Sequence, residues 1–301
     1  MYKQDNSEIL SLYALSPVHA GSGSSIGVVD LPIQRERHTN WPHIQASGVK
    51  GAMRHHFDKF KDKLLDKNEK DMLENITEKI FGSDDFGDNG SLPGAIAVSD
   101  AKLLAFPMRS SRNPFVWITC PAVLYRLKND LQLTGCSSIA SIPSVRDNEA
   151  IVIAGDMQPE ERVLLEDYEV KIKAYEEDSF DLGSVAKDML KKVHRLLLVS
   201  DATFHYGVTN CTEIRAQIKI DQNTGTTARG SLRYEELLPA DSLMYAIMFY
   251  GSTRNSESPL KAQTLINYMK DEVIKSFIQI GGNETLGCGL FQIEWIKGGT
   301  K

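Results

Sequence analysis

Ile9-Leu10-Ser11-Leu12-Tyr13-Ala14-Leu15-Ser16-Pro17 is the stretch that decides how the chain is read. It is short and apolar and it is closed by a proline, which cannot continue a hydrogen-bonded ladder, so it reads as a buried strand. From Val18 to Gln45 no period is sustained; the composition is Gly, Ser, Pro, His and charge. A loop this long inside a compact domain is usually functional. Ser47 then serves as a helix N-cap, and Val49, Ala52, Met53, Phe57, Phe60 and Leu64 recur at helical spacing. Strand, long loop, helix is therefore the opening unit.

Working outward, the pattern predicts helices over Asn68–Ile80, Pro121–Leu131, Val185–Leu197 and Pro259–Lys275. It predicts strands over Ala95–Leu104, Phe115–Thr119, Leu198–Thr203, Met244–Phe249, Phe277–Ile280 and Leu290–Trp295. The clearest local signal is a hairpin within 211–236: Ile214, Ala216, Ile218 and Ile220 alternate with Arg215, Gln217, Lys219 and Asp221, and after Asn223-Thr224-Gly225 the alternation resumes through Leu232 and Tyr234. A period of two puts Arg215, Lys219, Arg229 and Arg233 on one face, suited to phosphate, and the apolar residues on the other. Short strands separated by helices at both ends point to an α+β class, a ferredoxin-like core with large insertions, in one domain over 1–301.

The composition supports a globular chain. Among 301 residues, 42% are hydrophobic and 25% charged, with 22 Gly and 11 Pro, which speaks against a disordered, collagenous or coiled-coil protein. The first residues lack the basic-then-apolar order of a signal peptide, and no apolar run reaches the length of a spanning helix, so the expectation is a cytoplasmic protein with no membrane partner. Cys120, Cys136, Cys211 and Cys288 form no C-x-x-C pair, which fits a reducing compartment and offers no zinc ribbon. A net charge of −6 argues at first against a nucleic-acid binder. Residues 160–181, inside an expected surface insertion over 155–184, carry all of it, and the rest of the chain is neutral.

Several motifs carry chemistry of unequal weight. Gly21-x-Gly23-x-x-x-Gly27 is one residue out of register for a dinucleotide fingerprint and no helix follows it. His55 and His56 are adjacent and cannot chelate from one helix face, and H-E-x-x-H, G-x-S-x-G and Walker A motifs are absent. Ser47-Gly48-Val49-Lys50-Gly51-Ala52-Met53-Arg54 opens a helix with free N–H groups, small residues and two cations at i and i+4, an arrangement that suits an anion. A solvated cationic face fits that stretch equally well. Gly281-Gly282-Asn283-Glu284-Thr285-Leu286-Gly287-Cys288-Gly289 between two strands is either a plain hairpin or a backbone that a sugar-phosphate chain approaches closely.

Ser16-Pro17-Val18-His19-Ala20-Gly21-Ser22-Gly23, Gly27-Val28-Val29-Asp30-Leu31-Pro32-Ile33-Gln34-Arg35-Glu36-Arg37-His38-Thr39, the Val49-Lys50-Gly51 helix start and the last glycine loop, in that order, resemble the RAMP superfamily. Within it the likeness is to the repeated backbone subunit of the type III-B CRISPR effector, the Cmr complex. The resemblance implies a palm of ferredoxin-like, RNA-recognition type, a projecting β-hairpin thumb over 211–236, and head-to-tail stacking of copies on a guide CRISPR RNA beside other Cmr subunits. It also implies cutting of paired single-stranded target RNA at regular intervals by an aspartate in the loop over 16–46, the place of Asp30. Expected RNA contacts are Ser47, Lys50, Arg54, Arg35, Arg37, Gly282, Gly287 and Gly289, with Arg215, Lys219, Arg229 and Arg233 on the thumb.

The chemistry has its own logic. RNA brings its 2'-OH as nucleophile, so a nuclease need only align it, take its proton and stabilise charge. A carboxylate of ordinary pKa is a weak base, so assistance is expected from Mg2+ or another divalent cation held by Asp30 and phosphates, and from His19 as acid or RNA contact. Without the resemblance, Asp30 reads as a turn-capping loop aspartate. The alternatives are a scaffold that binds RNA without cutting it, and an endonuclease that processes guide RNA.

Overall fold

The computed structural model describes residues 3–64, 76–83, 93–136, 139–174, 180–253 and 259–297. Fourteen strands are defined within them: β1 (Ser7–Ala14), β2 (His43–Ile44), β3 (Ile96–Val98), β4 (Ala101–Arg109), β5 (Phe115–Thr119), β6 (Glu149–Ala154), β7 (Arg162–Leu165), β8 (Tyr168–Lys173), β9 (Leu196–Val199), β10 (Glu213–Gln217), β11 (Arg233–Leu237), β12 (Leu243–Tyr250), β13 (Phe277–Gln279) and β14 (Leu290–Lys297). The helices are α1 (Ala46–Leu64), α2 (Ile76–Phe81), α3 (Pro121–Leu133), α4 (Gly183–Leu190), α5 (Asp201–Asn210) and α6 (Ala262–Tyr268), the last continued by a π turn over Met269–Val273. No helix among the described residues is long and apolar enough to cross a membrane.

One sheet runs in the order β13-β14-β1-β12-β4-β5-β9-β6-β8-β7, with β2 on β4 and β3 on β12; β10 and β11 make a separate pair. The chain is thus a mixed α/β protein with one large, mostly antiparallel sheet. β1 lies between β12 (Ile9↔Ile247) and β14 (Ile9↔Ile296), and both β1 and β12 are buried almost throughout. That explains the unbroken apolar run at the start of the sequence, since a central strand covered on both faces has no solvent side to alternate toward. α1 turns Val49, Met53 and Phe57 inward, and the Phe57 ring meets Phe81 at 5.8 Å and Tyr268 at 6.0 Å. α3 starts on Pro121, whose missing N–H costs nothing in a first turn, and buries Val123, Leu124, Leu127 and Leu131. It is pinned to the sheet where Asp130 accepts from Lys102 Nζ at 2.7 Å and Tyr245 Oη at 2.8 Å.

Several expected elements are revised. Ala95–Leu104 is two strands, interrupted at Ser99-Asp100, because the Asp100 carboxylate turns to accept the Ala46 N–H at 2.7 Å. The basic helix expected over Val185–Leu197 ends at Leu190, and Leu196 to Val199 form β9, a fully buried run paired to β5 and β6. The strand expected over Leu198–Thr203 stops at Val199; Ser200 caps α5, its Oγ accepting from Thr203 N at 3.1 Å. The helix expected over Pro259–Lys275 closes in the π turn, from which Lys270 reaches buried Glu8 at 3.2 Å. The acidic segment is more than a surface excursion. β7 and β8 pair with each other and β8 extends the sheet on β6; Val163, Leu165, Val170 and Ile172 face in, while the charges face out. Part of the helix expected over Asn68–Ile80 lies outside the described residues, which begin again with α2 at Ile76.

Candidate nucleic-acid interface

Three segments meet beside the edge of the large sheet: the loop after β1, the hairpin of β10 and β11, and the glycine loop between β13 and β14. The loop after β1 is folded rather than open. Gly21 bridges Ile33, Ser22 N donates to Pro32 O at 3.0 Å, and Ser25 N to Asp30 O at 2.9 Å, so residues 21–33 form a small hairpin of their own. Its returning arm lies parallel to β11, with Leu31 bridging Glu235 and Glu236 N donating to Leu31 O at 3.0 Å. Asp30 occupies the edge of this arm. Its N–H donates to Tyr234 O at 3.1 Å and its Oδ2 accepts from Tyr234 N at 2.7 Å, while Oδ1 has no partner among the described residues. The turn-capping role that a loop aspartate favours is therefore present, on one oxygen only.

The hairpin pairs Arg215 with Glu235 and Gln217 with Arg233. The face carrying Arg215, Lys219, Arg229 and Arg233 was expected to meet phosphate; at Arg215 and Gln217 it turns toward the protein and is half-buried, whereas Arg233 is exposed. Arg215 donates to Glu213 Oε1 at 2.6 Å and to Cys288 Sγ at 3.7 Å, and Arg233 donates to Gln217 Oε1 at 2.6 Å. The Arg215–Glu213 bond, partly opposed by burial, holds that guanidinium charged above its usual range. Regular pairing stops at Gln217 and Arg233, shorter than the seven-residue arms the alternation implies, and Lys219 and Arg229 lie beyond it, exposed. The apolar face is turned to solvent: Ile214, Ile218, Leu232 (54% exposed) and Tyr234 (40%) all lie open. Since Leu31 shares a face with Glu235, alternation puts Asp30 on the face of Tyr234.

Glu235 and Glu236, which the pattern did not single out, organise the inner side. Glu235 is buried and accepts from Asn283 Nδ2 at 2.6 Å and from Gln217 Nε2, and His19 Nε2 stands 3.5 Å from Oε1. Buried Glu236 accepts from Arg35 Nη2 at 2.5 Å, Thr212 Oγ1 at 2.8 Å and Ile33 N at 3.1 Å. The sequence signal for them is weak: two adjacent acids in a strand project to opposite faces, so at most one is expected to be buried, and the partners that bury both lie far away in sequence.

These contacts revise several expected roles. His19 sets Nδ1 against Glu236 O at 2.9 Å and Nε2 against Glu235, and a Cβ on Gly21 would lie 2.7 Å from Nε2. Both ring nitrogens face protein groups, so His19 positions the hairpin against the loop and is not arranged as a proton donor to a ligand. Arg35 is likewise turned inward, to Glu236, Asn40 O at 2.8 Å and Val208 O at 3.0 Å. Arg37 is exposed and unpartnered among the described residues. The preceding residue, Glu36, accepts both Arg126 nitrogens at 2.9 Å and the Thr39 hydroxyl; burial opposes its ionisation, but these bonds outweigh it and hold the carboxyl below its usual range.

At α1 the helix begins at Ala46, so Ser47 lies inside its first turn rather than at the cap. Gly48 and Gly51 leave that surface open: an added Cβ would meet nothing nearer than Ile44 Cγ2 at 3.5 Å at the first and nothing within 4 Å at the second. Arg54 donates to Gly82 O at 2.9 Å, and Lys50, half-buried, has its ammonium pulled below the usual range by burial first and by Arg54 second. In the glycine loop Gly287 is open, Gly282 bridges His19, and Gly289 is buried, its positive φ of 81° and close approach to Ile280 O serving the loop rather than a ligand.

Residues 11–292 match the RAMP superfamily. The chain belongs to the RAMP superfamily. Among its RAMP relatives, the CRISPR system Cmr endoribonuclease Cmr4 of Pyrococcus furiosus is 34% identical over 295 residues, covering 95% of this chain and 94% of that one. The CRISPR system CMR subunit Cmr4 of Saccharolobus solfataricus is 24% identical, with 94% of each covered. A crystal structure of oligomeric Cmr4 from P. furiosus superposes with a TM-score of 0.70 at 27% identity over 98% of this chain and 99% of that one. A chain of the type III-B Cmr-beta complex bound to cognate target RNA shares the fold with a TM-score of 0.71 at 22% identity, over 96% of each.

Proposed function

We propose that this RAMP protein is the repeated backbone subunit of a type III-B CRISPR ribonucleoprotein, that it grips guide RNA, and that it cuts the paired target RNA. The observation that carries the reading is the convergence on one strand, β11, of the loop after β1 and the glycine loop, with a single carboxylate left open beside it. The order β14-β1-β12-β4, with α1 after β1 and α6 before β14, supports a ferredoxin-like palm, and the separate β10–β11 pair supports a thumb. Guide phosphates suit the open first turns of α1 at Ser47, Gly48, Lys50 and Gly51, together with Arg37, Lys219, Arg229 and Gly287. The likeness to oligomeric Cmr4 and to the Cmr4 subunits supports stacking of copies, head to tail in this reading, beside other Cmr subunits.

In this reading Tyr234 N–H fixes Asp30 Oδ2, leaving Oδ1 to accept the proton of the RNA 2'-OH as that oxygen bonds to the adjacent phosphorus and the P–O5' bond breaks, which leaves a 2',3'-cyclic phosphate and a 5'-hydroxyl that takes its proton from water. Glu235, Asn283 and His19 hold the hairpin that presents this geometry. The donor set does not fit a resident divalent cation. Asp30 offers one free oxygen, the neighbouring Glu235, Glu236 and His19 are committed inward, and the described residues hold no group of three or more metal-ligating side chains. A divalent ion therefore enters this scheme with the RNA, held by phosphate oxygens and the open Asp30 oxygen, as suits Mg2+ at a site with one carboxylate. The scaffold reading draws support from the structural bond of Asp30 to Tyr234. A guide-loaded complex given a target with one 2'-deoxy nucleotide at a cut position separates the two: cutting is expected to vanish there and persist elsewhere. Equal cutting at the 2'-deoxy position would refute attack by the 2'-OH, and no cutting at any position would favour the scaffold.

A further inference from the structure

Tyr234 fastens Asp30 at its own position, but the arm that carries it is held from farther away. The arm is pinned to β11 at alternate residues: Leu31 O accepts from Glu236 N at 3.0 Å, Ile33 N donates to Glu236 Oε2 at 3.1 Å, and Arg35 Nη2 donates to Glu236 Oε1 at 2.5 Å. One residue, Glu236, thus takes three points of the arm. Two of the three bonds use its carboxylate, so the register of the arm depends on where Arg35 stands.

Arg35 stands in a closed knot of chain. Its Nη1 donates to Asn40 O at 2.8 Å, Glu36 N donates to Trp41 O at 2.9 Å, and Asn40 N donates to Glu36 O at 2.8 Å. Helix α3 ties this knot to the body of the protein. Arg126 gives both terminal nitrogens to the Glu36 carboxylate at 2.9 Å and holds its guanidinium 4.8 Å from the centre of the Trp41 ring; Trp41 is 5% exposed and meets Phe204 edge-on at 5.0 Å. A planar fork that pairs with a carboxylate and stacks on an indole fixes direction as well as distance, which a lysine does not. Asp130, one turn farther along α3, fixes the helix to Lys102 and Tyr245. The six residues from Asp30 to Glu36 span at most about 20 Å when extended, so a shift at the knot is carried along the arm to the carboxylate.

We propose that Arg126 is a positioning residue for target cutting, which acts through Glu36, Arg35 and Glu236 to set the register of the arm and so the place of the Asp30 carboxylate. The role rests on the reading of Asp30 as the cutting residue. Both terminal nitrogens of Arg126 are spent on Glu36, so it is neither a phosphate ligand nor a reacting group.

The test compares Arg126→Lys, Arg126→Met and the double variant Glu36→Gln/Arg126→Met in the guide-loaded complex, scoring single-turnover cutting at saturating target, target affinity, complex length and melting temperature. Arg126→Met should slow cutting by up to about 100-fold, the cost of a reacting group misplaced by about 1 Å, with affinity and length within about twofold of the parent. Arg126→Lys should fall between. Arg126→Met also strands a largely buried carboxylate and should melt low; the double variant removes both charges and should recover much of that loss while cutting no faster than Arg126→Met. Amide exchange at Ile33 and Glu236 should quicken in both, with β1 and β12 unchanged. Parental cutting in Arg126→Met, or cutting that recovers with the melting temperature in the double variant, would overturn the relay. Affinity or length lost in step with cutting would overturn it too, leaving Arg126 a purely structural residue. Asp30→Asn is run alongside: parental cutting there would sink the reading of Asp30 and the relay with it, whereas an inactive Asp30→Asn beside a fully active Arg126→Met would sink the relay alone.

Discussion

Replacing Asp30 by asparagine and by alanine separates its two roles. The asparagine variant keeps the shape and retains an oxygen to accept the Tyr234 N–H that Asp30 Oδ2 accepts at 2.7 Å, but it has no basic oxygen to offer a hydroxyl. The alanine variant loses both. The Tyr234 N–H left behind lies on a half-exposed residue where water replaces the lost acceptor, so the stability cost falls to that of an ordinary hydrogen bond, about 1 kcal/mol. For a chain of this length that corresponds to about 2 °C in Tm. Asp30→Asn should melt within a degree or so of the parent, and Asp30→Ala about 2 °C below it. Both should lose the contribution of a positioned base, about 10²- to 10⁴-fold in single-turnover cutting of a guide-matched target. The assay pairs that rate with a melting curve on the same assembled complex. An Asp30→Asn complex that cuts at the parental rate would refute the assignment, and an activity loss in Asp30→Ala alone would show that the carboxylate matters only as a turn cap.

Lys50→Met should weaken guide RNA binding and reduce the salt slope of log affinity by about 0.7 to 0.9. Because the folded protein holds Lys50 below its unfolded pKa, the charged form is disfavoured by folding, so the same variant should be more stable than the parent at neutral pH, with the difference shrinking as pH rises through the lowered value. A less stable Lys50→Met would contradict this. Glu36→Gln should destabilise by about 1.5 to 3 kcal/mol at pH 7 by breaking the paired Arg126 bonds. Glu36 is held below its unfolded pKa, so that loss should be complete above the ordinary carboxylate range and fade as pH falls through it; urea titrations at pH 7 and pH 3 that gave equal differences would rule it out. Gly289→Ala should disturb the glycine loop strongly, since its Cβ would lie 2.3 Å from Ile280 O at a φ of 81°, whereas Gly287→Ala, with open space around it, should cost less despite a similar φ of 77°. Near-equal melting temperatures for the two would discount the close approach.

Much of this was legible from residue order. The closed apolar run ahead of Pro17, the helix from Ser47, the strand over Phe115–Thr119 and the hairpin partners around 214–234 follow from period and punctuation alone. Legibility failed where neighbours decide the outcome. Leu196 to Val199 reads as a helix end or a strand until β5 and β6 are present on its two sides. The hairpin's alternation correctly separated two faces but could not say which one turns inward. Burial is settled by Asn283 and His19 meeting Glu235, contacts between segments far apart in sequence. Arg35 and Arg54 read as phosphate ligands because their charge is visible in the sequence and their internal acceptors, Glu236 and Gly82 O, are not.

The pair of β10 and β11 shares no strand with the large sheet. A lone two-stranded ribbon is marginal in water, and this one leans on the arm around Leu31 and on the bonds of Glu235. It should therefore open at a smaller free energy than the central sheet, and its amides should exchange with deuterium well before those of β1 and β12. Asp30 is fastened to that ribbon through Tyr234, so warming should disable the carboxylate while the core is still native. The upper working temperature of the protein should then be set by the ribbon and fall below the melting point of its core.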